Sequence, residues 1–125
     1  MAPQLGQGTF RLAVTSAYSR SCTVTGEHSL PAREAAHIRP YGDGGEHEVS
    51  NGLLLGSDIH RLFDTGYLGV TPDYKFVVSC YLRGDYSNGR SYYPLHGRPI
   101  ELPARREEWP SAEALAWHGG SVLKR

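Results

Sequence analysis

The chain has 125 residues and a mass of 13.8 kDa, of which 39% are hydrophobic, 21% charged and 10% aromatic. Such a length builds one domain that buries roughly two-thirds of its unfolded surface. With no apolar run near the ~20 residues of a membrane helix, the composition excludes membrane-spanning and disordered chains. Thirteen basic residues balance 13 acidic ones, which excludes nucleic-acid binding through bulk charge alone.

Phe10, Ala13, Val14, Ala17 and Tyr18 recur at helical spacing, so Thr9 to Ser19 reads as an amphipathic helix. Cys22-Thr23-Val24-Thr25-Gly26 is β-branched and reads as a short strand or knuckle turning at the glycine. Glu34-Ala35-Ala36-His37-Ile38-Arg39 reads as a strand stopped by Pro40, followed by a flexible turn at Gly42-Asp43-Gly44-Gly45. Asn51-Gly52 is a turn signal, and Leu53-Leu54-Leu55 a short buried strand. Ser57 or Asp58 is placed to cap a helix over Ile59 to Thr65, with Leu62 and Phe63 on its core face and Gly66 as its stop. Tyr67–Thr71 and Tyr74–Cys80 pair as a hairpin about Pro72-Asp73. Arg83 to Ser91 is a polar loop, and Ser91–Leu95 and Pro99–Leu102 are expected as short edge strands. A last helix runs from Ala112 to His118, opens at Pro110-Ser111 and stops at Gly119-Gly120; its Leu115 and Trp117 are expected to pack internally.

Two cysteines, Cys22 and Cys80, make no disulfide framework, and the N-terminus shows no secretory signal. The expectation is a reduced, cytoplasmic protein, or a segment of a longer one. Only Lys75 and Lys124 are lysines; the other eleven cations are arginines, the better bidentate clamps for phosphate.

Chemistry concentrates in the middle of the chain. His37 lies on a strand, Asn51 at a turn fourteen residues on, and His60 on a helix nine residues further. Strand, loop, strand and helix can fold back so that the two histidines face each other across a divalent metal. Asp64 is four residues after His60, hence on the same helix face, and a histidine and a carboxylate so placed suit one ion. The alternative is that Asp64 only hydrogen-bonds His60 or caps a loop.

Glu34-Ala-Ala-His-Ile-Arg-Pro-Tyr, Gly44-Gly45, Asn51-Gly-Leu-Leu-Leu and His60-Arg-Leu-Phe-Asp-Thr-Gly, in this order and spacing, resemble the HNH endonuclease family. The resemblance is strongest to the branch found in restriction endonucleases. It runs from about Phe10 to about Ser79, and the tail from Tyr92 to His118 is similar to that branch's C-terminal extension. It implies an α+β protein with a ββα-metal (HNH, or His-Me finger) core, flanking helices and an additional β-hairpin. It implies one nuclease domain over residues 1–125, with a core at about 10–80 and an extension at 81–125, excised from a longer restriction enzyme. His37 would be the general base. Asn51 would fix the loop and orient that base, or ligate the metal. His60 would bind the cation, Mg²⁺ or Mn²⁺, with Ni²⁺, Co²⁺ or Zn²⁺ also compatible. The products would carry a 5′ phosphate and a 3′ hydroxyl. The partners implied are double-stranded DNA, a separate recognition domain, modified DNA as its target in some branches, and a homodimer where both strands are cut; none is a membrane.

Two departures from the family pattern matter. Ala36 stands where many members carry a metal-binding Asp or His, so Asp64 is the expected third ligand, ahead of Glu34 and Asp58. The two Cys-x-x-Cys pairs of many members are reduced to Cys22-x-x-Thr25 and Gly56-x-x-Ile59. One cysteine of four cannot hold zinc, so no structural zinc is expected. Arg39 and Arg61, with Arg33 behind them, are expected at the scissile phosphate; a surface ion pair is the alternative for Arg61. His28 and His47 read as solvated loop residues, with contact to substrate as the alternative for His47, His96 as structural, and His118 as a cation suited to the end of the last helix. The reading that competes with a nuclease is an inactive HNH fold that binds DNA or protein, and Ala36 is its support.

Overall fold

The computed structural model describes residues 6–18, 33–82 and 92–124. Cys22, His28, the knuckle expected over Cys22–Gly26, the loop expected over 83–91 and the Arg33 side chain lie outside what is described.

The centre is a strand–strand–helix unit. β1 (Arg33–His37) pairs antiparallel with β2 (Gly52–Gly56), with Arg33 opposite Gly56, Ala36 opposite Leu53 and His37 opposite Gly52. All five residues of β2 are buried, which explains an apolar run with no alternation: both faces of the strand are covered. One cover is α1 (Gln7–Ala17), whose Phe10 and Val14 are buried together with Tyr18 just beyond it. A Cβ on Gly52 would lie 2.5 Å from Val14 Cγ2 and 3.0 Å from Phe10 Cζ, so glycine is needed for this helix to approach the sheet.

β2 runs without a linker into α2 (Ser57–Asp64). Neither Ser57 nor Asp58 is the cap. Gly56 holds that position in an extended conformation with no side-chain bond, because the strand ends there and the next two residues are already helical. Ile59 and Phe63, four apart, bury the inner face. Gly66, at φ +90°, ends the turn, and the amide of Tyr67 reaches back to the Leu62 carbonyl at 2.9 Å.

β3 (Leu68–Val70) and β4 (Phe76–Val78) form the expected hairpin. The edge strands expected after it are not strands. Tyr93–Leu95 is a 3₁₀ turn, and the other segment contributes one isolated bridge, Lys75 to Pro99. Pro94 and Pro99 have no N–H with which to continue a ladder. His96 is structural as expected, its Nδ1 accepting from the Val78 amide at 3.0 Å.

α3 (Ala112–Ser121) is capped by Ser111, whose side chain accepts from the Ala114 amide, and it runs through Gly119-Gly120 rather than stopping there. Leu115 is buried, as expected. His118 is not a solvated cation at a helix end. It is 2% exposed, its ring stacks on Phe63 at 3.7 Å, and its Nε2 donates to the Phe63 carbonyl at 2.8 Å. The ring therefore locks α3 onto the end of α2. No helix among the described residues is long and apolar enough to cross a membrane.

Burial pushes the His118 pKa below its ordinary 6.5, against the smaller opposing pull of the Phe63 carbonyl and Asp64. The folded ring stays neutral while the unfolded one takes up a proton, so its contribution is complete above pH 6.5 and is lost as pH falls toward the folded pKa. Urea denaturation between pH 7.5 and 5 will show stability falling with acid. His118→Gln, which keeps an amide donor but cannot titrate, will be less stable at neutral pH and will have a shallower acid slope. An unchanged slope would remove His118 as a source of the acid sensitivity.

Candidate active site

The residues that gather at one cleft come from β1, α2, α3 and the loop between the paired strands. Ala35 and His37, two apart on β1, point into it as the strand period requires. His60 and Asp64, four apart on α2, meet them, and His118 closes one side. The open volume is about 510 Å³.

His37 is half-buried, with Phe10 stacked on its ring at 4.0 Å and 10°. Its Nε2 lies 2.8 Å from Nδ1 of His47. Burial lowers its pKa first and the neighbouring His47 second, with Asp64 pulling the other way. The ring is therefore a neutral base at pH 7.

His60 is biased the opposite way. Its Nε2 is 3.1 Å from Asp64 Oδ2, and its Nδ1 is 2.7 Å from Glu34 Oε1. The bond to Asp64 raises the pKa most, and Glu34 adds to it against the opposing effect of burial. Glu34 and Asp64 thus both reach His60, but at different ring nitrogens, so they do not converge on one point. Among the described residues no group of three or more His, Cys, Asp or Glu is arranged to hold a metal. The donor chemistry still suits a divalent ion. One imidazole nitrogen and one carboxylate leave the other positions to water and phosphate, a common way of holding Mg²⁺. An ion there would compete with the ring proton that the two carboxylates favour.

Asn51 is buried and does not line the cleft. Its Oδ1 accepts from the Arg39 amide at 3.0 Å, and its Nδ2 donates to the Arg39 and Glu46 carbonyls, each at 2.9 Å. The amide is committed to the loop and is not turned into the cleft. Gly45 makes this possible: a Cβ there would lie 1.7 Å from the Arg39 carbonyl oxygen and 2.9 Å from Asn51 Nδ2. Gly45 thus serves close packing, and Gly44, at φ +90°, the left-handed turn before it.

Arg39 and Arg61 do not line this cleft. Arg39 donates from Nε to the Asp43 carbonyl at 2.6 Å and lies over the Trp117 ring at 5.2 Å. Arg61, one residue past His60 and so about 100° around the helix, lines a separate hollow with Leu62, Leu82 and Tyr92. Asp58 faces that side too, accepting from the Tyr92 hydroxyl at 2.9 Å. The residue that sequence reasoning missed is His47, which the loop returns against His37. Its only local signal was the glycine pair that precedes it.

This geometry has relatives. Residues 22–71 match the family profile described as HNH endonuclease, and the matched segment holds His37, Asn51, His60 and Asp64. Its ββα arrangement is the α+β ββα-metal fold. Among solved structures, the chain is similar to one described as a modification dependent TagI restriction endonuclease, at 25% identity and a TM-score of 0.63. The likeness covers 93% of this chain and 38% of that one, so the chain spans well under half the length of that relative. No curated protein matches the chain.

Asn51→Asp is the sharpest test of the loop clamp. It keeps the acceptor for Arg39 but sets a carboxylate oxygen against two carbonyls. The loss expected in urea denaturation is on the order of 3 kcal/mol. A loss below about 0.5 kcal/mol would show that the amide does not hold the loop.

Proposed function

We propose that this chain is the catalytic domain of a metal-dependent DNA endonuclease of restriction type, with His37 as the general base. The observation that carries the reading is the opposite bias of two imidazoles at one open cleft: His37 held neutral, and His60 held between two carboxylates. A neutral imidazole accepts a proton from water, and the resulting hydroxide oxygen forms a bond to phosphorus. The bond from phosphorus to the 3′ oxygen breaks, leaving a 5′ phosphate and a 3′ hydroxyl. His60 and Asp64 would hold the divalent cation, Mg²⁺ or Mn²⁺ by the oxygen-rich donor set, with Glu34 as the other carboxylate in reach. When bound, the cation supplies positive charge beside the phosphate and the departing oxygen. No arginine lines the cleft among the described residues, so the protein's own positive charge there is histidine.

Asn51 keeps the His37 end of the strand pair in place through the loop clamp, a supporting part with no contact to the reacting atoms. Zero net charge fits weak, sequence-blind binding of double-stranded DNA by this domain. The likeness to a modification dependent enzyme of which this chain spans 38% supports a separate recognition domain in the full protein that reads a modified base or backbone.

Supercoiled plasmid incubated with Mg²⁺ or Mn²⁺ will be nicked, and EDTA will abolish the nicking. His37→Ala will lower the rate by about a hundredfold or more. A His37→Ala protein that cuts as fast as the parent would refute the base assignment. A folded parent that binds duplex DNA and never cuts it would establish the inactive, binding-only reading in its place.

A further inference from the structure

We propose that His47 is a positioning residue for His37, holding the base in the one tautomer and orientation that can take a proton from water. The inference rests on the nuclease reading above.

The pair is close and directional. His37 Nε2 and His47 Nδ1 are 2.8 Å apart, and the rings meet edge to face at 5.0 Å. Two imidazole nitrogens at that distance share one proton, so one donates and the other accepts. If His47 donated, the single proton of neutral His37 would sit on Nδ1. Both nitrogens of His37 would then be occupied, and no base would remain. If His37 donates from Nε2, its Nδ1 carries the free lone pair, and the base is competent. The active arrangement therefore requires His47 to accept at Nδ1 and to carry its own proton on Nε2.

The same bond grows stronger as the reaction proceeds. The proton leaving water goes to His37 Nδ1, and the ring becomes an imidazolium. Its Nε2–H remains on His37 and still donates to His47, now as a charge-assisted bond. No bond breaks between the two rings. An interaction stronger after proton transfer than before it lowers the barrier. Phe10, stacked on the face of His37 and 6.0 Å from His47, leaves the in-plane bond to His47 as the contact that sets rotation within the ring plane. The loop makes the arrangement durable. Gly44, at φ +90°, and Gly45, pressed on the Arg39 carbonyl, turn the chain. Asn51 then holds the Glu46 carbonyl, immediately before His47, at 2.9 Å.

The test uses the intact chain with plasmid DNA and Mg²⁺, in four variants. His47→Phe keeps ring bulk and removes the acceptor. His47→Ala removes both. His47→Asn places an amide oxygen where Nδ1 was, and His37→Ala is the reference for a lost base. The expected result is a kcat lower by about tenfold to a hundredfold in His47→Phe and His47→Ala, KM for DNA unchanged, and recovery to within about threefold of the parent in His47→Asn. A purely structural part for His47 predicts that Phe, not Asn, is the better replacement. Nitrogen-15 NMR of the His37 ring gives a readout without turnover: a protonated Nε2 and bare Nδ1 in the parent and in His47→Asn, and a mixture of tautomers in His47→Phe. His47→Phe cutting at the parental rate while His37→Ala does not, or an unmixed His37 tautomer in His47→Phe, would overturn the inference and leave the nuclease reading standing. A parent that leaves DNA intact overturns the nuclease reading, and with it any catalytic use of the pair; the His37 tautomer then still reports whether His47 fixes that ring.

Discussion

The arrangement depends on one buried amide. Asn51 ties both ends of the loop between the paired strands by accepting from and donating to Arg39 and by holding the Glu46 carbonyl. The Ile38 amide meets the Asn51 carbonyl at 2.9 Å and extends the ladder one step beyond His37. A loop of this length has many conformations, and ordering it costs conformational entropy at each residue. A side chain that satisfies three main-chain groups at once removes most of the alternatives, since breaking away would strand buried donors and acceptors. His37 is thereby held at the end of its strand, and His47 comes back beside it. Gly45 belongs to the same device, because any side chain there would occupy the space of the Arg39 carbonyl.

The two cleft histidines differ because their surroundings do. His37 is half-buried under the Phe10 ring, and loss of solvent there disfavours a positive charge. His60 has carboxylates at both nitrogens. Identical side chains are thus divided into an imidazole held neutral and an imidazole held in an anionic setting. Such a division is the usual mark of paired roles at a catalytic centre. α3 bears on it from outside: His118 packs on Phe63, the residue before Asp64, so the C-terminal segment supports the helix that carries half of the site.

Much of this was legible along the chain. Leu53-Leu54-Leu55 read as a covered strand, α2 followed from Leu62, Phe63 and its Gly66 stop, and Pro72-Asp73 marked the hairpin. The strand–strand–helix order and the spacing of His37, Asn51, His60 and Asp64 pointed to the HNH family, whose profile matches residues 22–71. The errors had three separate causes. The Gly119-Gly120 stop failed because the helix end is packed on the rest of the fold, and tertiary contact overrides weak local propensity. The edge strands failed because prolines interrupt them. Ser57 and Asp58 do not cap α2, because the preceding strand leaves no linker to hold a cap.

What the sequence determined by itself is therefore which residues lie on which element, and with that the chemistry available. Periodicity and turn residues act over a few positions, and such rules can be read locally. The tertiary structure alone decided which side chains meet: His47 on His37, Glu34 and Asp64 on opposite nitrogens of His60, Arg39 on Trp117, and Arg61 turned into a different hollow. Those meetings depend on how a loop closes and how a helix is rotated about its axis. Both are set by packing between residues far apart in the chain.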